Sequence, residues 1–381
     1  MQNPSIFHAK LAALQTCCLN SSSSFVSFKL PLENNINTYV QFNSSPRSID
    51  SVGSIDSVEG FVFSPFLLDE KNKAYVVEPD YKFVNNNLPD DIFEIISSKS
   101  IKSKIATTIR DNACATTSKE EFEASVAKAL EAIHRGDFQK VVLSKIQHVD
   151  KPDGFSEAAF FQSLCEQYPY AFVYFISIGA NCCWMGATPE PLLVSANNCM
   201  QTVSLAGTQQ ADDKSIGEYV WSVKELEEQE IVTQFIEETL LEKGICDYRK
   251  SKTQNYKAAN LIHLKSSFEF PIDVHKNALS SLISALHPTP SIGGLPRAEA
   301  VEFITQTEKH DRGFYTGFLG ALQPNSDVQL FVNLRCMQLF PSSILLYSGA
   351  GITSSSRPDK EWIETENKLQ TLKQVIFSPK Y

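Results

Sequence analysis

The chain has 381 residues, 43% of them hydrophobic and 20% charged, and a formal net charge of −10. This composition is typical of a globular protein with a large core, and the length allows roughly one to three domains. The acidic balance argues against a protein that binds nucleic acid through clustered Lys and Arg, so we expect no nucleic-acid partner. The composition does not exclude a small anionic substrate, provided that cationic side chains line its binding cleft.

The nine cysteines include two adjacent pairs, Cys17 with Cys18 and Cys182 with Cys183, but no CxxC spacing and no His/Cys cluster suited to zinc. The N-terminal segment lacks the basic and apolar regions of a signal peptide, and no run reaches the roughly 20 apolar residues of a membrane span. We therefore expect reduced thiols and a cytoplasmic protein that does not associate with membranes.

Residues 1–115 alternate Ser- and Asn-rich tracts with strand-like pieces such as "SFVSFKL" and "KAYVVEP". This pattern predicts short strands joined by long polar loops. No motif in this part indicates chemistry.

A strong helix signal begins at Ser118, which has capping-box spacing to Glu121, and ends at Gly136. The next stretch, "GDFQKVVLSK", predicts a short, mostly buried strand, yet Lys140 lies in its middle. Burial of a lysine costs its hydration. Either this strand lies at a sheet edge and Lys140 reaches water, or the charge serves a function inside the fold.

Further strands are predicted for "AFVYFISIG", "DVQLFVNLRCMQLF" and "SILLYSG", and helical patterns follow Lys224, Asn277, Arg297 and Asp359. Strands that alternate with long helices favour α/β or α+β layering over a β-sandwich.

Two helices carry acids in their apolar faces. Glu228 falls between Ile231 and Val232 on a helical wheel, so we expect it to point inward; the alternative is a solvated glutamate in a first turn. Glu361 and Glu364 likewise head the apolar stripe of the last helix. Inward glutamates on separate helices would suit Mg²⁺. The alternative for the last helix is a solvated charge run with an intrahelical pair between Glu364 and the lysine that follows it at i+4.

Arg335 stands on an otherwise apolar predicted strand and precedes "SGAGI". Gly349 and Gly351 suggest a strand-to-helix turn with free N–H groups, which together with Arg335 would form a carboxylate clamp. Two other segments place polar residues at strand ends or turns: Glu190 in "GATPEPLL", and Gly207 with Thr208 in "SLAGTQ".

A series of segments resembles, in order, motifs of the chorismate-utilising enzyme family: "FQKVVLSK", "GATPEPLL", "SLAGT", "VKELEEQEIV", "LHPTPSIGGLPR", "RGFYTGFLG", "NLRCM", "SGAGI" and "EWIETENK". Their joint occurrence is specific, although each alone is weak. The resemblance implies one large α/β (α+β) domain of layered antiparallel sheets flanked by helices over residues 1–381. Residues 1–115 would be its variable part and residues 116–381 its chorismate-binding core, with an Mg²⁺-dependent site.

The resemblance also distinguishes branches of this family. Isochorismate and salicylate synthases carry a lysine at the position of Lys140, whereas anthranilate synthases that use ammonia typically have glutamine. Aminodeoxychorismate synthases have a nucleophilic lysine in "PIKGT", where this chain has Ala206. We therefore expect a monomeric isochorismate synthase without a glutaminase subunit. Salicylate synthase, an anthranilate synthase component and a non-catalytic chorismate binder are the alternatives, and both menaquinone and siderophore routes begin with isochorismate.

The implied reaction adds a hydroxyl at C2 of chorismate and removes one at C4, which requires a base and an acid. By resemblance, Lys140 activates water and Glu190 is the general acid, protonated near neutral pH. Glu228, Glu361 and Glu364 would hold Mg²⁺. The residues expected to bind substrate are Gly207, Thr208, Ser291, Ile292, Arg335, Gly349 and Lys368.

Three positions depart from common family patterns: Lys145 replaces an arginine, Gln229 a histidine, and Ser291-Ile292 the Ala-Leu often found in isochorismate synthases. The last pair is expected close to the ring and bears on whether pyruvate is lost. His263 and His287 also match family positions. Both structural and catalytic roles are open for these two histidines.

Overall fold

The structure is a computed structural model, and it describes residues 4–21, 23–42, 46–85, 87–99, 115–179, 182–196, 199–258, 261–271, 279–323 and 327–378. Its helices are α1 (Pro4–Ser21), α2 (Ile92–Lys99), α3 (Lys119–Arg135), α4 (Glu157–Gln167), α5 (Val223–Glu242), α6 (Leu279–Leu286), α7 (Arg297–Thr307) and α8 (Pro358–Ile376).

The strands are, in chain order, β1 (Ser24–Lys29), β2 (Ile36–Gln41), β3 (Arg47–Ile49), β4 (Gly60–Ser64), β5 (Ala74–Val77), β6 (Tyr81–Val84), β7 (Lys140–Asp150), β8 (Phe172–Ile178), β9 (Cys182–Thr188), β10 (Pro191–Ala196), β11 (Cys199–Gln210), β12 (Arg249–Lys250), β13 (Gln254–Ala258), β14 (Leu261–Pro271), β15 (Gly294–Leu295), β16 (Phe318–Gln323), β17 (Asp327–Val332), β18 (Cys336–Leu339) and β19 (Ser343–Ile352).

These strands form two large antiparallel sheets. Sheet A has the order β15-β7-β19-β18-β9-β8-β1-β2-β6, and sheet B has the order β12-β14-β11-β10-β17-β16-β4-β5-β3, with β13 paired to β14. The sheets pack face to face through an aromatic core in which Phe172 of β8 stacks on Phe331 of β17, ring centroids 4.3 Å apart. Helices α1, α2, α4 and α8 cover sheet A, and α5 and α6 cover sheet B. The predicted layering of antiparallel sheets and helices is confirmed.

Helix α3 has the predicted ends. Ser118 is the N-cap and forms the full capping box with Glu121, and Gly136 ends the helix with a φ of 84°. Only glycine adopts this left-handed conformation without strain, so the local sequence determines where the helix stops and β7 starts.

The prediction for residues 1–115 was incomplete, because this part contains α1 and α2 as well as strands. Helix α1 has no acidic residue in its first turn and no basic residue in its last turn, so the usual charge signals are missing. It is held by tertiary packing of Leu11, Leu14 and Cys18. The strands of this part belong to both sheets. None of the described helices is long and apolar enough to cross a membrane.

Candidate active site

The site lies where the chain passes twice between the two sheets. Glu190 lies in the link from β9 of sheet A to β10 of sheet B, and Arg335 lies in the link from β17 of sheet B to β18 of sheet A. The links are bonded to each other: the Val332 amide donates to the Glu190 carbonyl at 2.9 Å, and the Ala187 amide donates to the Arg335 carbonyl at 3.1 Å. An acid and a guanidinium are thereby fixed side by side.

The prediction that Arg335 stands on a continuous strand was wrong. "DVQLFVNLRCMQLF" forms two strands in different sheets, and Arg335 has a φ of 48° in the turn between them. Such a conformation is costly for a non-glycine residue and is common at functional sites. Burial lowers the pKa of Arg335, and the Glu364 and Glu190 carboxylates nearby oppose this effect.

Lys140 begins β7, which is not an edge strand because β15 pairs with it on one side and β19 on the other. Lys140 is 0% exposed, and its Nζ lies 2.9 Å from Oε1 of Glu228. This ion pair lacks hydrogen-bond alignment, so Nζ has no hydrogen-bond partner among the described residues. Glu228 is 8% exposed, which confirms that it points inward. Lys140 therefore lies inside the fold and does not reach water at a sheet edge.

The glycines of "SGAGI" have a different role from the one predicted. Gly349 and Gly351 lie within β19 and pair with Ser144 and Val142 of β7, so they form no strand-to-helix turn. A Cβ on Gly351 would lie 2.3 Å from Oε1 of Glu228. A side chain at this position would therefore displace the carboxylate that meets Lys140, and the glycine supplies the space.

Gly207 and Thr208 also lie within a strand rather than in a turn. They fall at an irregularity in the pairing of β11 with β14, where Gly207 has a φ of 64°. The bulge directs the Gly207 carbonyl at His263, whose Nδ1–H donates to it at 2.7 Å. Burial lowers the pKa of His263 to about 3, so the ring is neutral. Its buried Nε2 has no partner among the described residues and is an acceptor.

Glu190 has the properties of an acid that is protonated near neutral pH. Burial raises its pKa to about 7, although a hydrogen bond from Ser291 and the charges of Lys140, Arg335 and Lys368 act in the opposite direction. The Ser291 hydroxyl donates to Oε1 of Glu190 at 2.7 Å. Desolvation outweighs three cations here because Glu190 is almost fully buried.

Each glutamate predicted to bind Mg²⁺ forms an ion pair with a lysine: Glu228 with Lys140 at 2.9 Å, Glu361 with Lys224 at 2.6 Å, and Glu364 with Lys368 at 2.6 Å. Oε2 of Glu361 is buried and has no hydrogen-bond partner among the described residues. Burial and the neighbouring Glu364 carboxylate raise the pKa of Glu361 to about 6. These oxygen donors suit a hard cation. Within the described ranges, however, no three acidic, His or Cys side chains form a preassembled metal centre.

One cleft of about 550 Å³, a volume that includes its mouth, brings most of the predicted residues together. The predicted residues that line it are Glu190, Gly207, Thr208, Glu228, Ser291, Ile292, Arg335, Gly349, Glu364 and Lys368. Lys140 and Glu361 do not line it. Lys140 lies behind Glu228 and Gly351, and Glu361 faces a neighbouring cavity with Lys224.

The cleft wall also contains residues that the sequence analysis did not single out. These are Tyr315 and Thr316, from "RGFYTGFLG". His263, which the sequence did single out, also lines this wall. The Tyr315 ring stacks on Tyr347 with centroids 5.4 Å apart, so sheet A orients it. The two glycines around this segment were the available signal, because they mark the turn that leads from α7 into β16.

Two of the three departures from family patterns lie away from the cleft. Lys145 lies on the other face of β7, ion-paired with Glu366 and 3.3 Å from the centre of the Trp362 ring. Gln229 donates to the Ser204 hydroxyl at 2.8 Å. Only the pair Ser291-Ile292 lines the cleft.

His287 also lies outside the cleft. Its Nε2 lies 3.1 Å from the Phe66 carbonyl, and its ring meets Phe318 edge to face. Burial lowers the pKa of His287 to about 4. These contacts support a structural role.

A family model described as "chorismate binding enzyme" matches residues 60–377. The chain is similar to isochorismate synthase EntC of Escherichia coli K12, with 31% identity over 261 residues that are 67% of this chain and 66% of EntC, just under two thirds of its length. It is similar to isochorismate synthase MenF of Haemophilus influenzae, with 27% identity over 359 residues, 88% of this chain and 81% of that protein.

Among solved structures, the menaquinone-specific isochorismate synthase MenF of Escherichia coli has a TM-score of 0.74 at 17% sequence identity, covering 94% of this chain and 91% of that one. This likeness concerns the fold. The family model covers most of the chain and includes every residue that lines the cleft. The chain therefore belongs to the chorismate-binding enzyme family.

Proposed function

We propose that this chain is an isochorismate synthase, which converts chorismate to isochorismate by adding water at C2 and releasing the C4 hydroxyl. The observation that carries the proposal is the presence of an acid, two cations and a buried lysine at one site. Glu190, a buried acid with a pKa of about 7, shares a cleft with Arg335 and Lys368, and Lys140 lies directly behind its wall. The names of the relatives EntC and MenF support the same activity.

The proposed chemistry needs one proton acceptor and one proton donor. Lys140, as the neutral amine, takes a proton from water while the water oxygen bonds to C2 and the ring double bonds shift. Glu190 gives its proton to the C4 oxygen, which leaves as water. One water is consumed and one is released, so the reaction is an isomerisation.

The cationic residues of the cleft would bind the carboxylates of chorismate. Arg335 offers a planar guanidinium for bidentate contact, and Lys368 donates to the Gly349 carbonyl at 2.8 Å, which holds its ammonium at the cleft. Nε2 of His263 would accept a hydrogen bond from a substrate hydroxyl. This local positive charge reconciles an anionic substrate with an acidic protein.

Magnesium is part of this proposal. Glu228 and Glu364 would hold the ion, with Glu361 adjacent, because their carboxylate oxygens are the ligands that Mg²⁺ prefers. When bound, the ion would supply positive charge for the substrate carboxylate. We expect a chelator to abolish turnover and Mg²⁺ to restore it. Calorimetric titration of Mg²⁺ should show weaker binding to Glu228→Gln and Glu364→Gln; full turnover in chelator would exclude the metal role.

Product identification tests the activity. The purified chain, incubated with chorismate and Mg²⁺, should yield isochorismate by chromatography and mass spectrometry. Salicylate with pyruvate would instead identify a salicylate synthase, the alternative favoured by the presence of Ser291 in the cleft wall. Recovery of unchanged chorismate would identify a binding protein.

A further inference from the structure

The hydroxyl of Ser291 is used within the protein. It donates to Oε1 of Glu190 at 2.7 Å and lies 2.6 Å from the hydroxyl of Thr289. Since the single proton of Ser291 goes to Glu190, the Thr289 hydroxyl must be the donor in the second contact. The three side chains therefore form a directed chain from Thr289 through Ser291 to Glu190, in which each hydrogen bond polarises the next.

The segment that carries these hydroxyls is fastened to the strand of Lys140. The Gly293 amide closes a turn onto the Thr289 carbonyl at 2.9 Å, and the Val142 amide of β7 donates to the Gly293 carbonyl at 2.8 Å. Beyond this turn, β15 pairs with the start of β7. The buried Arg312 guanidinium adds bonds to the Ile292 carbonyl at 3.0 Å and to the Val142 carbonyl at 2.6 Å. The Ser291 hydroxyl is thus held in the same rigid frame as Lys140.

We propose that Ser291, oriented by Thr289, is a positioning residue for Glu190: it fixes Oε1 and leaves Oε2 to carry the acid proton toward the cleft. This inference rests on the proposed function, in which Glu190 is the general acid. It assigns Ser291 a role other than the substrate contact expected from the sequence.

The direction of the electrostatic effect follows from the groups that face Glu190. Lys140 from β7, Arg335 from the link between the sheets and Lys368 from α8 all favour the carboxylate, as does the Ser291 hydroxyl. Loss of that hydroxyl therefore raises the pKa of Glu190 further above 7. One hydrogen bond to a charged group corresponds to about one pH unit.

The first test is the dependence of kcat on pH for wild type and Ser291→Ala. We expect the alkaline limb, where Glu190 loses its proton, to move up by about one pH unit in Ser291→Ala. We expect kcat at the optimum to fall about tenfold through loss of orientation, with KM within about twofold. Ser291→Thr, which keeps a hydroxyl, should restore the position of the limb, and Thr289→Val should move it by less than Ser291→Ala. Ser284→Ala, at an exposed serine of α6, is the matched control.

A second measurement does not depend on turnover. Infrared difference titration should resolve the protonated carboxyl band of Glu190, assigned by its absence in Glu190→Gln, and its midpoint should rise in Ser291→Ala. An unchanged midpoint and limb would overturn the proposal, as would a rise in KM alone, which would make Ser291 a substrate ligand. If wild type forms no isochorismate yet the midpoint shifts, the positioning role holds and the proposed reaction fails.

Discussion

Two buried lysines on one strand have opposite surroundings. Lys140 and Lys145 lie five residues apart on β7, so their side chains point to opposite faces of sheet A, and both are almost fully buried. Lys145 is enclosed by the Trp362 ring and by Glu366, which also lies 3.5 Å from Lys373. Lys140 instead meets Glu228, a glutamate in the wall of a cleft.

The difference lies in what each partner can do. Burial lowers the pKa of Lys145, its ion pair with Glu366 opposes that effect, and the Trp362 ring covers its Nζ. Glu228 lines the cleft, so a cation bound there would compete with Lys140 for its carboxylate. The two lysines are therefore almost equally buried, and they differ in whether the counter-ion lines the cleft.

Substitution of Lys140 and of Lys145 should show the largest difference between the two lysines, in their effects on kcat. Lys140→Ala should cut kcat by about 10²- to 10⁴-fold, and Lys140→Arg should be nearly as inactive because guanidinium cannot accept a proton. Lys145→Arg should keep turnover within about threefold, since its charge and stacking persist. Steady-state kinetics on matched preparations measure this, and an active Lys140→Arg enzyme would remove Lys140 from the role of base.

Glu190 extends the comparison to an acid inside the same cleft. Its pKa of about 7 against an ordinary 4.5 means that the folded state binds the proton more tightly than the unfolded chain. Its contribution to the free energy of unfolding therefore falls by about 3 kcal/mol as pH rises from 4.5 to 7. Above pH 7 the contribution stays at this lower value. Glu190→Gln lacks this loss. The free energy of unfolding of Glu190→Gln should be close to that of wild type at pH 4 and about 3 kcal/mol higher than that of wild type at pH 8.

Urea denaturation at the two pH values provides the measurement. A difference between Glu190→Gln and wild type that does not change with pH would show that Glu190 is ionised normally, and the acid role would lose its physical basis.

Removal of Lys145 should affect stability rather than chemistry. Lys145→Ala loses a buried ion pair and a cation–π contact, while Glu366 is left partly exposed and near Lys373. We expect a loss of about 2 kcal/mol in the free energy of unfolding, below the 3–5 kcal/mol typical of a fully buried pair, with kcat nearly unchanged. Loss of turnover at full stability would contradict the division between the two lysines.

A smaller effect is expected at Gly351, which makes room for the Lys140 pair. The added Cβ of Gly351→Ala would lie 2.3 Å from Oε1 of Glu228 and 3.0 Å from Cε of Lys140. Because the Glu228 side chain can rotate, we expect about a tenfold loss of kcat rather than unfolding. Gly217→Ala, where an added Cβ meets nothing within 4 Å, is the control. Equal activity of the two variants would show that activity does not depend on the absence of a side chain at Gly351.

Local signals carried the parts of the fold that were predicted well. The capping box at Ser118 and the glycine stop at Gly136 define α3 from within the helix itself. The inward direction of Glu228 follows from its place on the wheel of α5, since the apolar neighbours that decide it are one turn away.

Local patterns were insufficient where distant parts of the chain decide the outcome. Lys140 is covered by β15, a two-residue strand at Gly294–Leu295, so its burial could not be read from β7 alone. The apolar residues on both sides of Arg335 concealed the passage between sheets. The space at Gly351 is required by Glu228 of another helix. In each case the deciding contact is tertiary, which a local pattern does not contain.

The most direct test of the account follows the oxygen of water. Wild type should convert chorismate in H₂¹⁸O with Mg²⁺ to isochorismate that carries one ¹⁸O at the C2 hydroxyl, while Lys140→Ala should form at least about 10²-fold less in the same time. Isochorismate without the label would contradict water addition, and labelled product formed by Lys140→Ala at the wild-type rate would contradict its activation by Lys140.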